Sequence, residues 1–142
     1  MIGFGVENVK MPPIDRAAVR KWLKAVAKDH DGRETGDLYY VFCDDNRILE
    51  VNNEFLGHDY FTDIITFDYS SPKRVSGDMY ISLDTVLSNS SKFHTSYERE
   101  LLRVIVHGVL HLCGINDKAP GERAVMEKHE ERALDMWYKK QF

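Results

Sequence analysis

The sequence predicts an α+β fold, a small mixed β-sheet flanked by helices, on three observations. Short runs rich in aromatic and β-branched residues, Leu38–Cys43, Thr62–Phe67 and Gly77–Ser82, read as strands. Between and after them, apolar residues recur at helical spacing, most densely from Leu83 onward. With 142 residues, 43% hydrophobic and 30% charged, the chain fits a single domain, residues 1–142, that can bury a substantial core.

The first ten residues alternate loosely and suit an edge strand. Pro12-Pro13 and Asp15 then open a helix to about Lys28, with Val19, Trp22, Leu23 and Val26 on its apolar face. Its other face carries Arg16, Arg20, Lys21, Lys24 and Lys28, a stripe that taken alone reads more simply as a solvated face than as a nucleic-acid surface. Residues 29–36 are a turn-rich loop before the strand at 38–43. Asp44, Asp45 and Asn46 have the chemistry of a helix N-cap and lead into a short helix to about Phe55. Strands 62–67 and 77–82 are joined by a polar connection, residues 70–76, with an exposed basic pair. One helical segment runs from Leu83 to about Phe93, and a longer helix from Thr95 to Cys113, where Thr95–Glu98 forms a capping box. Pro120 precedes a last helix from Gly121. Leu101, Leu102, Ile105, Val106, Val109, Leu110 and Leu112 make the long helix apolar nearly all round, which places it inside the domain.

Composition excludes several classes. No apolar run reaches the length of a membrane span, and no basic region followed by an apolar stretch marks a secretory signal at the N-terminus. Cys43 and Cys113 have no disulfide-framework spacing, so a reducing cytoplasm is the expected location. A net charge of −4 argues against a protein that coats nucleic acid; RNA chemistry here would need a local basic patch, a partner, or a metal holding the phosphate.

The segment that carries chemistry is His107-Gly-Val-Leu-His111-Leu-Cys-Gly114-Ile-Asn-Asp117. Histidines four apart share one helix face, with Cβ atoms about 5–6 Å apart, which suits two imidazoles on one metal ion. Gly114 stands where a left-handed residue would end the helix, so that Asp117 turns back toward the open side of the ion. Three protein ligands and a free position are the arrangement of a catalytic zinc. Histidines on an apolar helix can also be core groups that have found hydrogen bonds; the glycine stop and the carboxylate favour the zincin-like metal helix. Cys113 points about 200° away from His111 and reads as packing. Position 108 is glycine, so the glutamate base of H-E-x-x-H metalloproteases is absent.

These residues resemble the signature of the YbeY-type metal-dependent endoribonucleases, whose motif has the form H-G-x-L-H-L-x-G-x-x-H. Two further blocks agree: Asn52, Gly57, Asp59 and Thr62-Asp63-Ile-Ile-Thr-Phe67, and Gly77-Asp78-Met-Tyr-Ile-Ser82, so that the resemblance covers most of residues 47–117. The resemblance implies a mixed sheet with a zinc cleft, single-strand-specific RNA cleavage in ribosomal RNA maturation and ribosome quality control, and ribosomal subunits or ribosomal proteins as partners beside RNA. His107, His111 and Asp117 are the expected ligands of one Zn2+ per chain. Asp117 stands where the family has a third histidine, which weakens the Lewis acid and admits a harder divalent metal. Leu56 aligns with a family arginine suited to phosphate, so His58, Lys73 and Arg74 are the candidate substrate-binding residues.

No side-chain base is assigned, and the ion is expected to perform the main chemistry. Asp63 and Asp78 are possible supports for a ligand histidine, each equally suited to a turn or cap. Glu98, Glu100, Glu127, Glu130 and Glu131 read as solvated helix faces, His94 as a loop residue, and His129 as having no partner at ligand spacing. Two other functions compete: a metallopeptidase-like hydrolase, and a non-catalytic ribosome-assembly factor with a structural metal.

Overall fold

Strand and helix alternate from the N-terminus until the chain turns wholly helical, and the topology follows. The computed structural model describes residues 1–57 and 62–142. In chain order the elements are β1 (Ile2–Val6), α1 (Arg16–Lys28), β2 (Glu34–Cys43), α2 (Asp45–Leu56), β3 (Ile64–Asp68), β4 (Arg74–Ser82), α3 (Leu83–Lys92), α4 (Tyr97–Leu112) and α5 (Glu122–Tyr138). The sheet order is β1-β2-β4-β3, with β1 and β4 parallel to β2 and β3 antiparallel to β4. The fold is therefore α+β around a small mixed sheet, and β1 is an edge strand as expected.

Alternation along β4 sorts the two faces. Val75, Gly77, Met79 and Ile81 are buried under α4 and α1 in the main core, with Trp22, Leu23, Tyr40, Leu102 and Ile105. The other face carries Ile65, Phe67 and Tyr80 in a smaller cluster beneath α2, with Ile48 and Val51. Burying a Leu, Ile or Phe side chain is worth about 1.5–3 kcal/mol, so the larger layer holds most of the stability and fixes α4 against the sheet. Gly108 permits that close approach. A Cβ there would lie 2.5 Å from Met79 Sδ and 3.1 Å from Ile64 Cδ1.

Several element ends differ from the sequence reading. β2 begins at Glu34, inside the expected loop, because Glu34 and Thr35 pair with Arg74 and Val75 before a register shift ahead of Leu38. That pairing also draws Arg74–Ser76 into β4. The N-cap of α4 is Ser96, whose hydroxyl accepts from Arg99 N at 3.1 Å, and not Thr95. The other caps match the sequence reading: Asp15 accepts from Ala18 N and Asp44 from Arg47 N. No helix is long and apolar enough to cross a membrane among the described residues.

Candidate metal centre

The cleft is built at the C-terminal half of α4, where the helix must stop and return. Gly114 has φ +94, and its N–H donates to His111 O while Ile115 N–H donates to Leu110 O. Those two bonds form a Schellman ending, which glycine enters without steric cost. The reversed chain brings Asp117 beside His107. Nε2 of His107 and Oδ2 of Asp117 are 3.6 Å apart, each side chain about one-fifth exposed. That is too long for a hydrogen bond. It is close to the separation of two donors on one tetrahedral ion, roughly 3.4 Å for bonds of about 2.0–2.2 Å.

His111 follows one turn along α4 and is partly exposed. Among the described residues, no group of three His, Cys, Asp or Glu side chains is already drawn together closely enough to hold an ion. The structure thus joins two of the three expected ligands.

His107 is held from the other side by a residue the sequence reading had placed in solvent. Glu130 of α5 receives a hydrogen bond from His107 Nδ1 at 2.7 Å. With Nδ1 carrying the proton, Nε2 presents its lone pair toward Asp117; a carboxylate behind a histidine is the usual support of a metal ligand. Burial works against a charge on His107, but the bond to Glu130 and the charges of Glu130, Asp117 and Asp63 outweigh it and raise the pKa above the ordinary histidine value. Glu130 also accepts from Arg103 Nη1 at 3.1 Å, and Arg103 Nη2 donates to Glu131 at 2.7 Å.

Glu100 and Glu130 are therefore corrections: they are only 3% and 6% exposed, buried around Arg103. Glu98, Glu127 and Glu131 are exposed, as the sequence reading has them. A signal for Glu130 existed. It shares the buried stripe of α5 with Met126, Ala133 and Leu134, a position that an unpaired carboxylate does not occupy.

The cleft encloses about 470 Å³ between α3, α4, α5 and the start of β3, and Asp63, Arg103, His107, Asp117, Arg123 and Glu130 are among its lining. Burial raises the pKa of Asp63, against the pull of His107 and of backbone N–H groups. Asp78 pairs with Phe67 across the hairpin, on the sheet face away from α4, and takes no part. Cys113 is packed against the main core, also away from the cleft lining.

The substrate candidates fare differently. Lys73 and Arg74 lie at the turn end of the β3–β4 hairpin, opposite the Asp63 end, and do not line the cleft. Arg74 pairs there with Glu34 at 3.5 Å. His58 lies outside the described residues. The guanidinium at the cleft rim is Arg123, whose exposed partner Glu127 is one turn away at 3.3 Å.

The geometry has its counterpart in known proteins. The model of the endoribonuclease YbeY family matches residues 6–138. The chain belongs to that family. It is 56% identical to an endoribonuclease YbeY of Parabacteroides distasonis, over 94% of this chain and 93% of the relative. It is 55% identical to one of Bacteroides fragilis, over 95% of this chain and 96% of the relative. Its fold also matches a solution structure of a Thermotoga maritima protein, with TM-score 0.65 and 26% identity, over 99% of this chain and 93% of that one.

Proposed function

We propose that this chain is a single-strand-specific, metal-dependent endoribonuclease of ribosomal RNA maturation that works in the cytoplasm and holds one zinc ion on His107, His111 and Asp117. RNA cleavage is the activity in the family's name, and the family covers nearly the whole chain. The observation that carries the metal reading is the pair of contacts on His107: Glu130 fixes Nδ1 at 2.7 Å, and Nε2 faces Asp117 at 3.6 Å.

When bound, the ion supplies Lewis acidity toward a phosphate oxygen and lowers the pKa of an attacking water or hydroxyl. The chain's own residues do the rest. Glu130 keeps the imidazole in one tautomer and orientation. Arg103 balances the charge of Glu130 and Glu131, the two carboxylates beside it in the cleft wall. Arg123 offers a phosphate a guanidinium, because its i,i+4 pair with Glu127 is exposed and such pairs are worth only a few tenths of a kcal/mol. This arginine stands in for the cation that Leu56 does not provide. Asp63, buried at the same cleft near His107, is placed to orient a substrate group or water there. His111, one turn along the same helix face, would supply the third donor.

A peptidase is disfavoured by position 108. The place of the peptidase glutamate faces Met79 and Ile64 inside the sheet contact, with no room for a side chain to serve the cleft. The test is metal content together with cleavage of a single-stranded ribosomal RNA fragment, for the native protein, His107→Ala and Asp117→Ala. The expected result is near one zinc per chain in the native protein and loss of both metal and cleavage in the variants. Undiminished cleavage by a folded His107→Ala protein would overturn the proposal.

A further inference from the structure

The helix farthest in function from the cleft is the most basic element of an acidic chain. α1 holds five of the chain's 19 Lys and Arg within 13 residues and none of its 23 Asp and Glu. Elsewhere the cations are more scattered, and six arginines, Arg47, Arg74, Arg99, Arg103, Arg123 and Arg132, each pair with a carboxylate. On α1, Arg20 is partly buried over the Phe4 ring and donates to Ile2 O. Arg16, Lys21, Lys24 and Lys28 are exposed and in no ion pair among the described residues. Arg16 to Lys28 spans 12 residue steps, about 18 Å of helix.

A charge stripe alone is a solvated face. What distinguishes this one is the groove it borders. The N-terminal half of α1 and the C-terminal end of α5 with the residues after it border a second, open concave surface of about 440 Å³, lined by Lys21 and Lys140 with Trp137 and Phe142, and by one carboxylate, Asp15, at the start of α1. The two aromatic rings are stacked, with centroids 5.6 Å apart and planes 10° apart. Trp137 is backed by Trp22 of the core, edge to face at 5.2 Å. One face of the stack is thus anchored to the core. Phe142, 40% exposed, is its outer ring. Cations that track a backbone beside an aromatic on which bases stack are the two components of a single-strand nucleic-acid groove.

We propose that the α1 face and the Trp137–Phe142 groove bind a single-stranded segment of the RNA outside the scissile site, its phosphates on Lys21, Lys24, Lys28 and Lys140 and a base on Phe142. The inference rests on the reading of the chain as an endoribonuclease. It answers the problem posed by the net charge of −4: the attraction for phosphate is local, on one helix.

The test is fluorescence anisotropy of a labelled 12-nucleotide single-stranded RNA, made uncleavable by 2′-O-methyl groups, across a salt series. Native protein is compared with Lys21→Glu/Lys24→Glu/Lys140→Glu and with Phe142→Ala. Circular dichroism melting checks that both variants fold, since every altered side chain is exposed. The charge variant is expected to bind on the order of tenfold more weakly, and its log Kd against log salt slope to flatten by about 2, roughly 0.7 for each lost single-strand phosphate contact. Phe142→Ala is expected to lose about fivefold or more in affinity with the slope unchanged. On a long cleavable RNA, the charge variant should raise KM and keep kcat.

An unchanged Kd and salt slope in the charge variant overturns the proposal, while continued cleavage would leave the endoribonuclease reading intact. Lost binding by the variant of a native protein that cleaves no RNA would keep the groove and refute the enzyme. Binding of polyglutamate equal to that of RNA, lost in the same variant, would make the partner an acidic protein and also overturn the proposal.

Discussion

Glu130→Gln removes one negative charge from behind His107 while keeping the side chain's shape. In the native protein this carboxylate is 6% exposed and accepts from His107 Nδ1 at 2.7 Å and Arg103 Nη1 at 3.1 Å. Hydrogen bonds to charged groups are worth about 1.5–3 kcal/mol each, and a glutamine oxygen can still accept one of the two. Arg103 keeps its bond to Glu131 at 2.7 Å, so the guanidinium is not orphaned. The expected loss is about 2 kcal/mol, which for a chain of this size lowers Tm by roughly 6 °C. The amide can also present its NH2 to Nδ1 and turn the imidazole to the wrong tautomer. Zinc affinity, measured by competition with a chromophoric chelator, should then fall about 10- to 100-fold. A variant with native Tm and native zinc affinity would refute the assignment of Glu130 as the support of His107. A drop in Tm without a change in zinc affinity would leave Glu130 a packing residue only.

Gly108→Ala sets helix propensity against packing: propensity alone favours alanine by about 1 kcal/mol. The new Cβ would meet Met79 Sδ at 2.5 Å in a filled core, so a net loss of about 1–2 kcal/mol is expected in urea unfolding, and a more stable variant would refute the contact. Glu131 gives a pH signature. Burial raises its pKa, but Arg103 and Arg99 outweigh this and hold the carboxyl below its ordinary value. A carboxyl depressed in the folded state stabilises above the ordinary carboxylate pKa of about 4.3 and loses that contribution as pH falls through the folded value. Native protein should therefore exceed Glu131→Gln in Tm at pH 7, with the gap closing toward pH 3; a gap independent of pH would refute the ion pairs. Cys43 is fully buried, and burial with the neighbouring charge of Asp44 pushes its thiol up to about 12. Iodoacetamide at pH 8 should modify the partly exposed Cys113 first and reach Cys43 only on unfolding, as peptide mass mapping would show.

The sequence by itself determined whatever depends on neighbours along the chain. Helix caps at Asp15 and Asp44, the glycine ending of α4 and the inner position of that helix follow from local hydrogen bonding and apolar periodicity, which act over a few residues. The motif from His107 to Asp117 was legible for the same reason, since one helix turn and one reversal set its spacing. Element ends were less so: Glu34–Thr35 and Arg74–Val75 are strand because they pair with each other across 40 residues of chain, and each segment alone reads as turn sequence.

Tertiary structure alone decided the partners. Glu130 reads as one more acidic residue in a charged helix until α5 is laid on α4, 23 positions from His107, and burial makes an unpaired carboxylate untenable. Gly108 reads as a missing catalytic base until Met79 is seen against it. Asp63, just ahead of β3, lines the cleft, whereas Asp78 lies within β4 on the face away from α4, although in sequence the two read alike. In each case the side chain's chemistry was plain in the sequence. Its role was set by which surface packed over it, because burial fixes whether a charge must find a partner and which partner is within reach.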